Sequence, residues 1–276
     1  MSRIALKSAR EHRVTVPVLL RRKRSGEPIS MLTAYDFTFA RIFDTAGIDV
    51  LLVGDSLGNV VQGRDTTLPV TLDEVVYHTR MVSRAARRAL VITDMPFGSY
   101  QISPEEALRN AVRCVKEGGA HAVKLEGGTG AAAAATSRIV GAEIPVMGHV
   151  GLTPQAIHRM GGHRVQGRTE RSAQRVLEDA RAVQEAGAFS VVLEGIPAPL
   201  AHEVTRALDI PTIGIGAGVG CDGQVLVMHD MLGLSDSTPS FVKQYANLGA
   251  LAGQAARRFA EDVADRKFPD DKHAYS

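Results

Sequence analysis

Short apolar runs that stop at a charged residue punctuate the chain. The run from Ile48 to Val53 breaks at Gly54-Asp55-Ser56. The same grammar recurs in Val91-Ile92-Thr93-Asp94, in Ala122-Val123-Lys124-Leu125-Glu126-Gly127-Gly128 and in Val191-Val192-Leu193-Glu194-Gly195. A mostly apolar run reads as a strand covered on both faces, so its polar end marks where the backbone leaves the core. If these strands are parallel neighbours, their charges converge at one end of the sheet, and that end is where an active site is expected.

Helical spacing fills the intervals. Ser30 to Tyr35 reads as the first strand, ending at Asp36, and Phe37 to Gly47 as its helix, stopped by a glycine. After the second strand comes a long loop, Ser56 to Val70, of the kind that is usually functional in a compact domain. Thr71-Leu72-Asp73-Glu74 and Ser103-Pro104-Glu105-Glu106 have capping-box spacing, so helices start near Leu72 and Pro104. Strands three and four fall at Ala89–Pro96 and Ala122–Glu126, and an alanine-rich helix at Thr129–Ala142 leads to strand five at Pro145–His149. Val176, Ala180, Val183 and Ala186 give Arg171–Gly187 one apolar face, ahead of strand six at Ser190–Glu194. A helix at Ala198–Leu208, strand seven at Pro211–Gly216, strand eight at Gln224–His229 and a last helix at Phe241–Lys267 complete the series.

Seven or eight β-then-α units argue for a parallel α/β fold. The charged ends are spread over strands two to six. A closed (β/α)8 TIM barrel gathers them around one axis, whereas a doubly wound open sheet would space them too far apart. The expectation is a single barrel domain over 1–276, with an N-terminal arm at 1–28 and a C-terminal helix at 241–268.

Composition narrows the function. A net charge of +2 and the absence of Trp give no case for nucleic acid. No apolar stretch approaches the roughly 18 residues of a membrane span. Cys114 and Cys221 belong to no C-x-x-C pair, which removes thiolate zinc sites and disulfide frameworks and suits a reducing cytoplasm. The segment Met1–Gly26 is rich in Arg and Lys like a transit peptide but is not Ser-rich, and Val14–Leu20 reads as an ordered arm.

Asp55, Asp94 and Glu126 offer hard oxygen ligands from three strand ends, suited to Mg2+ with waters and substrate. Taken singly, each reads equally as a helix cap or a salt-bridge partner. Lys124 and Glu126 alternate on one strand and so point the same way. Lys124 suits either a Schiff base or pairing with a substrate carboxylate, and a metal that already polarises the carbonyl favours the pairing. His149 ends strand five among these partners, as a substrate contact or a structural hydrogen-bonder. Glu194, partly desolvated, suits a general base on a carbon acid, or a partner for a buried amide. Gly214-Ile215-Gly216-Ala217-Gly218 reads as a phosphate cradle or as tight packing. From the residues alone, the reading is a metal-dependent enzyme that enolises a small carboxylate bearing a carbonyl.

Several longer motifs carry a resemblance. Met31-Leu32-Thr33-Ala34-Tyr35-Asp36, Val53-Gly54-Asp55-Ser56-Leu57-Gly58, Thr67-Leu68-Pro69-Val70-Thr71, Lys124-Leu125-Glu126-Gly127-Gly128 and Gly148-His149-Val150-Gly151-Leu152-Thr153-Pro154 follow one another in order. Val165-Gln166-Gly167-Arg168 and Ile213-Gly214-Ile215-Gly216-Ala217-Gly218 extend the match over nearly the whole chain. In order and spacing they resemble the ketopantoate hydroxymethyltransferase family. The resemblance implies transfer of a hydroxymethyl group from 5,10-methylenetetrahydrofolate to 3-methyl-2-oxobutanoate, giving 2-dehydropantoate on the route to pantothenate. It implies Mg2+ on Asp55, Asp94 and, through water, Glu126. It implies Ser56 and Lys124 as carboxylate anchors, His149 near the keto group and Glu194 as the base at C3. It also implies a barrel of the phosphoenolpyruvate/pyruvate type assembled as a homodecamer. Asn59 and Gly195 depart from the pattern without touching an implied role.

Two rivals are weaker. Lyases of the isocitrate lyase and phosphoenolpyruvate mutase type use a cysteine loop after the fourth strand, where this chain has mostly Gly and Ala over Thr129–Ala135. A non-catalytic metabolite-binding barrel would need no base at Glu194.

Overall fold

The computed structural model describes residues 13–162 and 164–275. The part of the N-terminal arm at 1–12, the beginning of the basic segment weighed as a transit peptide, lies outside the described residues. Eight parallel strands close into a barrel in chain order: β1 (Ile29–Thr33), β2 (Val50–Val53), β3 (Leu90–Asp94), β4 (Ala122–Glu126), β5 (Val146–Gly151), β6 (Ser190–Glu194), β7 (Thr212–Ile215) and β8 (Gly223–Leu226). Met31 of β1 lies opposite Val225 of β8, which completes the ring and excludes the open doubly wound sheet. The fold is the expected (β/α)8 barrel.

The chain divides into two compact units, one up to Val227 and one from Met228. Around the barrel the first unit carries α1 (Val16–Ser25), α2 (Phe37–Ala46), α3 (Leu57–Val60), α4 (Leu72–Ala85), α5 (Pro104–Lys116), α6 (Ala131–Val140), α7 (Ile157–Met160), α8 (Glu170–Glu185) and α9 (Ala198–Ala207). The second holds α10 (Met228–Leu232) and α11 (Leu248–Ala264).

Local chemistry sets the boundaries. At α4 the capping box forms in full, with Thr71 and Glu74 exchanging side-chain and backbone bonds. At α5 only half of it forms: Ser103 Oγ accepts from the Glu106 N–H, while the Glu106 carboxylate turns to Arg109. Strand eight ends at Leu226 rather than His229, because its pairing runs out where Leu226 meets Leu32 of β1. The helix expected over Phe241–Lys267 starts late, at Leu248. There the Asn247 carboxamide accepts from Ala250 N–H, and the helix stops at Ala264, shortly before Arg266 takes a positive φ of 54°.

Alternation along the strands separates two environments. Ile29 and Met31, Val50 and Leu52, Leu90 and Ile92, Ala122, Met147, Val192, Ile213 and Val225 fill the barrel interior. Residues of the other parity, such as Val123 and Leu125 or Val191 and Leu193, pack among helix residues. The segment read as an ordered arm, Val14–Leu20, runs into α1, which inserts a fully buried Leu19 into the interior cluster. Leu19 meets the N-terminal strand residues Ile29, Val50 and Leu90 there, so α1 plugs the barrel at the N-terminal ends of the strands.

Ion pairs hold the plug. Asp49, just before β2, receives Arg22 of α1 at 2.8 Å and Arg88, ahead of β3, at 2.6 Å, and accepts from the Ser30 N–H and Oγ. Lys23 reaches Asp222, before β8, at 2.9 Å. Burial would raise the Asp49 carboxyl, but the bonds from Ser30, Arg88 and Arg22 outweigh it and hold its pKa below the usual carboxylate range. A lowered carboxyl contributes stability that is present above the unfolded pKa of about 4 and is lost as pH falls through the folded value. Asp49→Asn is therefore expected to cost roughly 3 kcal/mol at pH 7, because two buried guanidiniums lose their partner. Urea unfolding should show that deficit shrinking below pH of about 4; a deficit independent of pH would refute the charge-based account.

Candidate active site

The interior alternation that fills the barrel with aliphatics turns polar at the C-terminal ends of the strands. Leu90 and Ile92 are followed by Asp94, Ala122 by Lys124 and Glu126, Met147 by His149, and Val192 by Glu194. Register then sets the neighbours: Asp94 pairs with Lys124, and Glu126 with His149. Asp55 and Ser56 sit just past β2, on the turn into α3. Gly148 lets α8 approach this end of β5, since a Cβ there would lie 2.4 Å from Val183 Cγ1.

All seven residues singled out in the sequence, Asp55, Ser56, Asp94, Lys124, Glu126, His149 and Glu194, line one pocket of about 110 Å³. Leu52, Val192, Ile215 and Val225 supply an aliphatic side. Lys124 Nζ stands 2.6 Å from Asp94 Oδ1 and 3.3 Å from His149 Nδ1. His149 bridges two carboxylates, with Nδ1 3.4 Å from Glu126 Oε1 and Nε2 3.1 Å from Glu194 Oε2. The Asp55 N–H donates to Asp94 Oδ2 at 3.3 Å, and Ser56 Oγ shares a 2.8 Å bond with the Tyr35 hydroxyl. Asp55, Asp94, Lys124, Glu126 and His149 are all buried, and Glu194 is the most accessible, with 17% of its side chain exposed.

Charges this dry and this close shift one another. Burial, and then the Asp94 and Glu126 charges, push Asp55 up to about 8. Burial raises Asp94 too, against the pull of Lys124. Lys124 is pulled down by burial but carried above its ordinary value by Asp94, Glu126 and Asp55. Burial and the neighbouring Lys124 would lower His149, yet its bonds to Glu126 and Glu194 carry it up to about 9. Glu126 overcomes its burial through His149 and Lys124 and stays below the ordinary range.

A lysine held protonated and paired is no nucleophile, so this geometry disfavours the Schiff-base alternative. The carboxylates present a different opportunity. Asp55 and Asp94, joined through the Asp55 N–H, are buried hard-oxygen donors whose raised pKa values reflect burial and mutual repulsion, which a divalent cation would relieve. Among the described residues no group of three or more acidic, histidine or cysteine side chains stands ready as a closed metal cage. What argues for a cation is the pair of buried carboxylates itself, a donor set that would suit Mg2+ completed by water and substrate.

The glycine segment after β7 behaves as packing. A Cβ on Gly214 would lie 2.9 Å from Cys221 Sγ, and Gln224 Nε2 donates to the Gly218 carbonyl, so the chain itself occupies the turn.

Sequence reasoning overlooked Tyr35, Tyr100 and Gln155. The Tyr100 hydroxyl, buried, accepts from the Glu126 N–H at 3.1 Å and lies 2.7 Å from Gln155 Oε1. Gln155 directly follows the quoted Leu152-Thr153-Pro154, so the signal lay one residue past the motif's end. Beside the pocket, and sharing Glu126 with it, is a chamber of about 440 Å³ lined by Phe97, Gln101, His158 and Arg159, with Leu68 from the long loop after β2.

Comparison with known proteins follows the same lines. A family model described as ketopantoate hydroxymethyltransferase matches residues 13–271. The chain is 56% identical over 265 residues to the 3-methyl-2-oxobutanoate hydroxymethyltransferase of Pelobacter propionicus, covering 96% of this chain and 98% of that one. It is likewise 56% identical over 264 residues to the protein of the same name from Magnetococcus marinus, covering 95% and 98%. Among solved structures, a 2,3-dimethylmalate lyase of the PEP mutase/isocitrate lyase superfamily aligns with a TM-score of 0.58 at 17% identity, over 94% of this chain and 91% of that chain, a likeness of fold alone.

Lys124 is the cation closest to this cluster's acids, so its loss should be felt as stability. Lys124→Met keeps the stem and removes the charge, and is expected to destabilise the chelator-treated protein by about 3–5 kcal/mol at pH 7. Denaturant unfolding in EDTA measures this; an unchanged midpoint would mean the acids are compensated elsewhere.

Proposed function

The chain belongs to the ketopantoate hydroxymethyltransferase family, and from that premise we propose that it transfers a hydroxymethyl group from 5,10-methylenetetrahydrofolate to 3-methyl-2-oxobutanoate, giving 2-dehydropantoate through an enolate. The observation that carries this reading is one small pocket with anionic donors and a lysine on one side, a carboxylate on another and an aliphatic wall. That combination suits a branched 2-oxo acid.

Lys124 and Ser56 anchor the substrate carboxylate, and the aliphatic residues Leu52, Val192, Ile215 and Val225 take the branched end. His149, carried up to about 9, sets its positive charge beside the keto oxygen, with Nδ1 held by Glu126 and Nε2 by Glu194. When bound, Mg2+ on Asp55 and Asp94, with Glu126 through water, supplies Lewis acidity toward the oxo acid's oxygens. Glu194 removes the proton from C3, which makes C3 nucleophilic toward the one-carbon unit of the folate.

A pocket of about 110 Å³ takes the oxo acid but not a pterin with its tail. The donor docks in the adjoining chamber, where Phe97 offers a ring face, Gln101 an amide and Arg159 a cation for the acidic tail. The exposed apolar residues Leu251 and Phe259 of α11 support assembly with further copies of this chain, for which the resemblance implies a decamer. No helix of the described residues is long and apolar enough to cross a membrane, and the free thiols Cys114 and Cys221 suit a reducing cytoplasm.

Proton NMR of 3-methyl-2-oxobutanoate in D2O tests the chemistry without folate. The protein with Mg2+ should exchange the C3 hydrogen, and EDTA should stop it. Glu194→Gln should retain binding of Mg2+ and oxo acid but slow exchange by roughly 10²- to 10⁴-fold, the usual contribution of a general base. Asp94→Asn should weaken binding and exchange together. Undiminished exchange in the glutamine variant would remove Glu194 from the mechanism.

A further inference from the structure

Gln155 lies in the single turn Pro154–Ala156 after β5, 7% exposed and outside the lining of the small pocket. Its amide is saturated. Nε2 donates to Asp55 Oδ2 at 2.9 Å and to the Met95 carbonyl at 3.0 Å. Oε1 accepts from the Tyr100 hydroxyl at 2.7 Å and from Gln101 Nε2 at 3.2 Å. Its backbone N–H donates to Glu126 Oε2 at 3.0 Å.

Two donors and two lone pairs are all an amide has, so every one is committed. Turned over, the amide would set its oxygen against the Asp55 carboxylate and the Met95 carbonyl, and its NH2 against Gln101 Nε2. The network therefore admits one orientation. Asp55 particularly needs such a partner, because it stands past the end of β2, where strand pairing no longer holds it. Gln155 binds Oδ2 of Asp55 through its side chain and Oε2 of Glu126 through its backbone N–H; both acids line the pocket, and the other Glu126 oxygen, Oε1, faces His149.

We propose that Gln155 is the positioning residue of this pocket, aiming the Asp55 and Glu126 carboxylates so that a divalent cation and a 2-oxo acid bind there, without touching either ligand itself. The proposal rests on the metal-assisted reading above, and extends it to a residue behind the carboxylates. It also ties the two compartments together, since Tyr100 and Gln101, which brace the amide, line the neighbouring chamber.

Two substitutions separate aiming from packing. Gln155→Glu keeps the shape and the oxygen facing Tyr100 and Gln101, but replaces both donated bonds by an oxygen facing Asp55. Gln155→Met keeps the approximate volume and loses every side-chain bond. Calorimetry of the full chain with Mg2+ alone should show affinity lowered roughly 10- to 100-fold in both, the usual effect of losing a partner that orients a ligating side chain. In steady-state assays the KM for the 2-oxo acid should rise in both variants. A merely structural glutamine would instead lower the melting temperature and leave Mg2+ affinity and that KM in place, and that result overturns the proposal. If the methionine variant does not fold, the glutamate variant decides alone. A wild-type chain without Mg2+ affinity would overturn the reading of the site itself, whereas a wild type that binds Mg2+ no better than its variants overturns the role of Gln155 alone.

Discussion

Closing eight parallel strands into a ring gives each strand one face toward the helices and one toward the axis, and the functional side chains on the strands, Asp94, Lys124, Glu126, His149 and Glu194, inherit their positions from that alternation. Asp94 points inward because Leu90 and Ile92 do, and Glu194 because Val192 does. A slip of one residue in β3 would exchange Asp94 for Met95, which packs with the helix-side cluster. The aliphatic lower barrel is therefore more than a core. It pins the register that delivers the charges.

Delivery creates an electrostatic problem. Asp55, Asp94 and Glu126 are buried within reach of one another, with Lys124 and His149 as the buried cations beside them. The ion pair of Lys124 with Asp94 answers part of it, and the raised Asp55 carboxyl, about 8, records the remainder. Packing alone would not retain such a surplus, because buried like charges cost more than the apolar side chains that would fit in their place. A surplus of acid at a ligand-sized pocket supports the cation site proposed above.

Much of this was legible in the chain. The short apolar runs ending in charge located the strands and their shared end, and the capping residues Thr71 and Ser103 located two helices. What escaped notice depends on contacts between distant segments. Gln155 is 100 residues from Asp55, and nothing in Leu152-Thr153-Pro154-Gln155 announces that its amide crosses the barrel mouth. Nor does the sequence around Tyr100 announce that its hydroxyl meets the backbone of β4. The last helix was placed too early because apolar residues from Phe241 onward mimic helical spacing, whereas Asn247 supplies the cap and so decides the start.

The two ends of the barrel treat charge in opposite ways, and the contrast separates stability from chemistry. At the plugged end the acids are satisfied: buried Asp49 has two guanidiniums and Ser30, half-buried Asp222 has Lys23 and Thr212, and Asp49 stays below the ordinary carboxylate range. At the open end Asp55 and Asp94 are held above it. Asp55 and Asp94 are more deeply enclosed than Asp49, so desolvation weighs more on them, and their partners do less to offset it: Asp49 receives two guanidiniums, whereas Asp94 shares one lysine with a cluster of acids. A fold that pairs Asp49 fully at one end, and leaves Asp55 and Asp94 under-compensated beside a pocket at the other, supports the reading proposed above, in which a ligand carrying positive charge binds there.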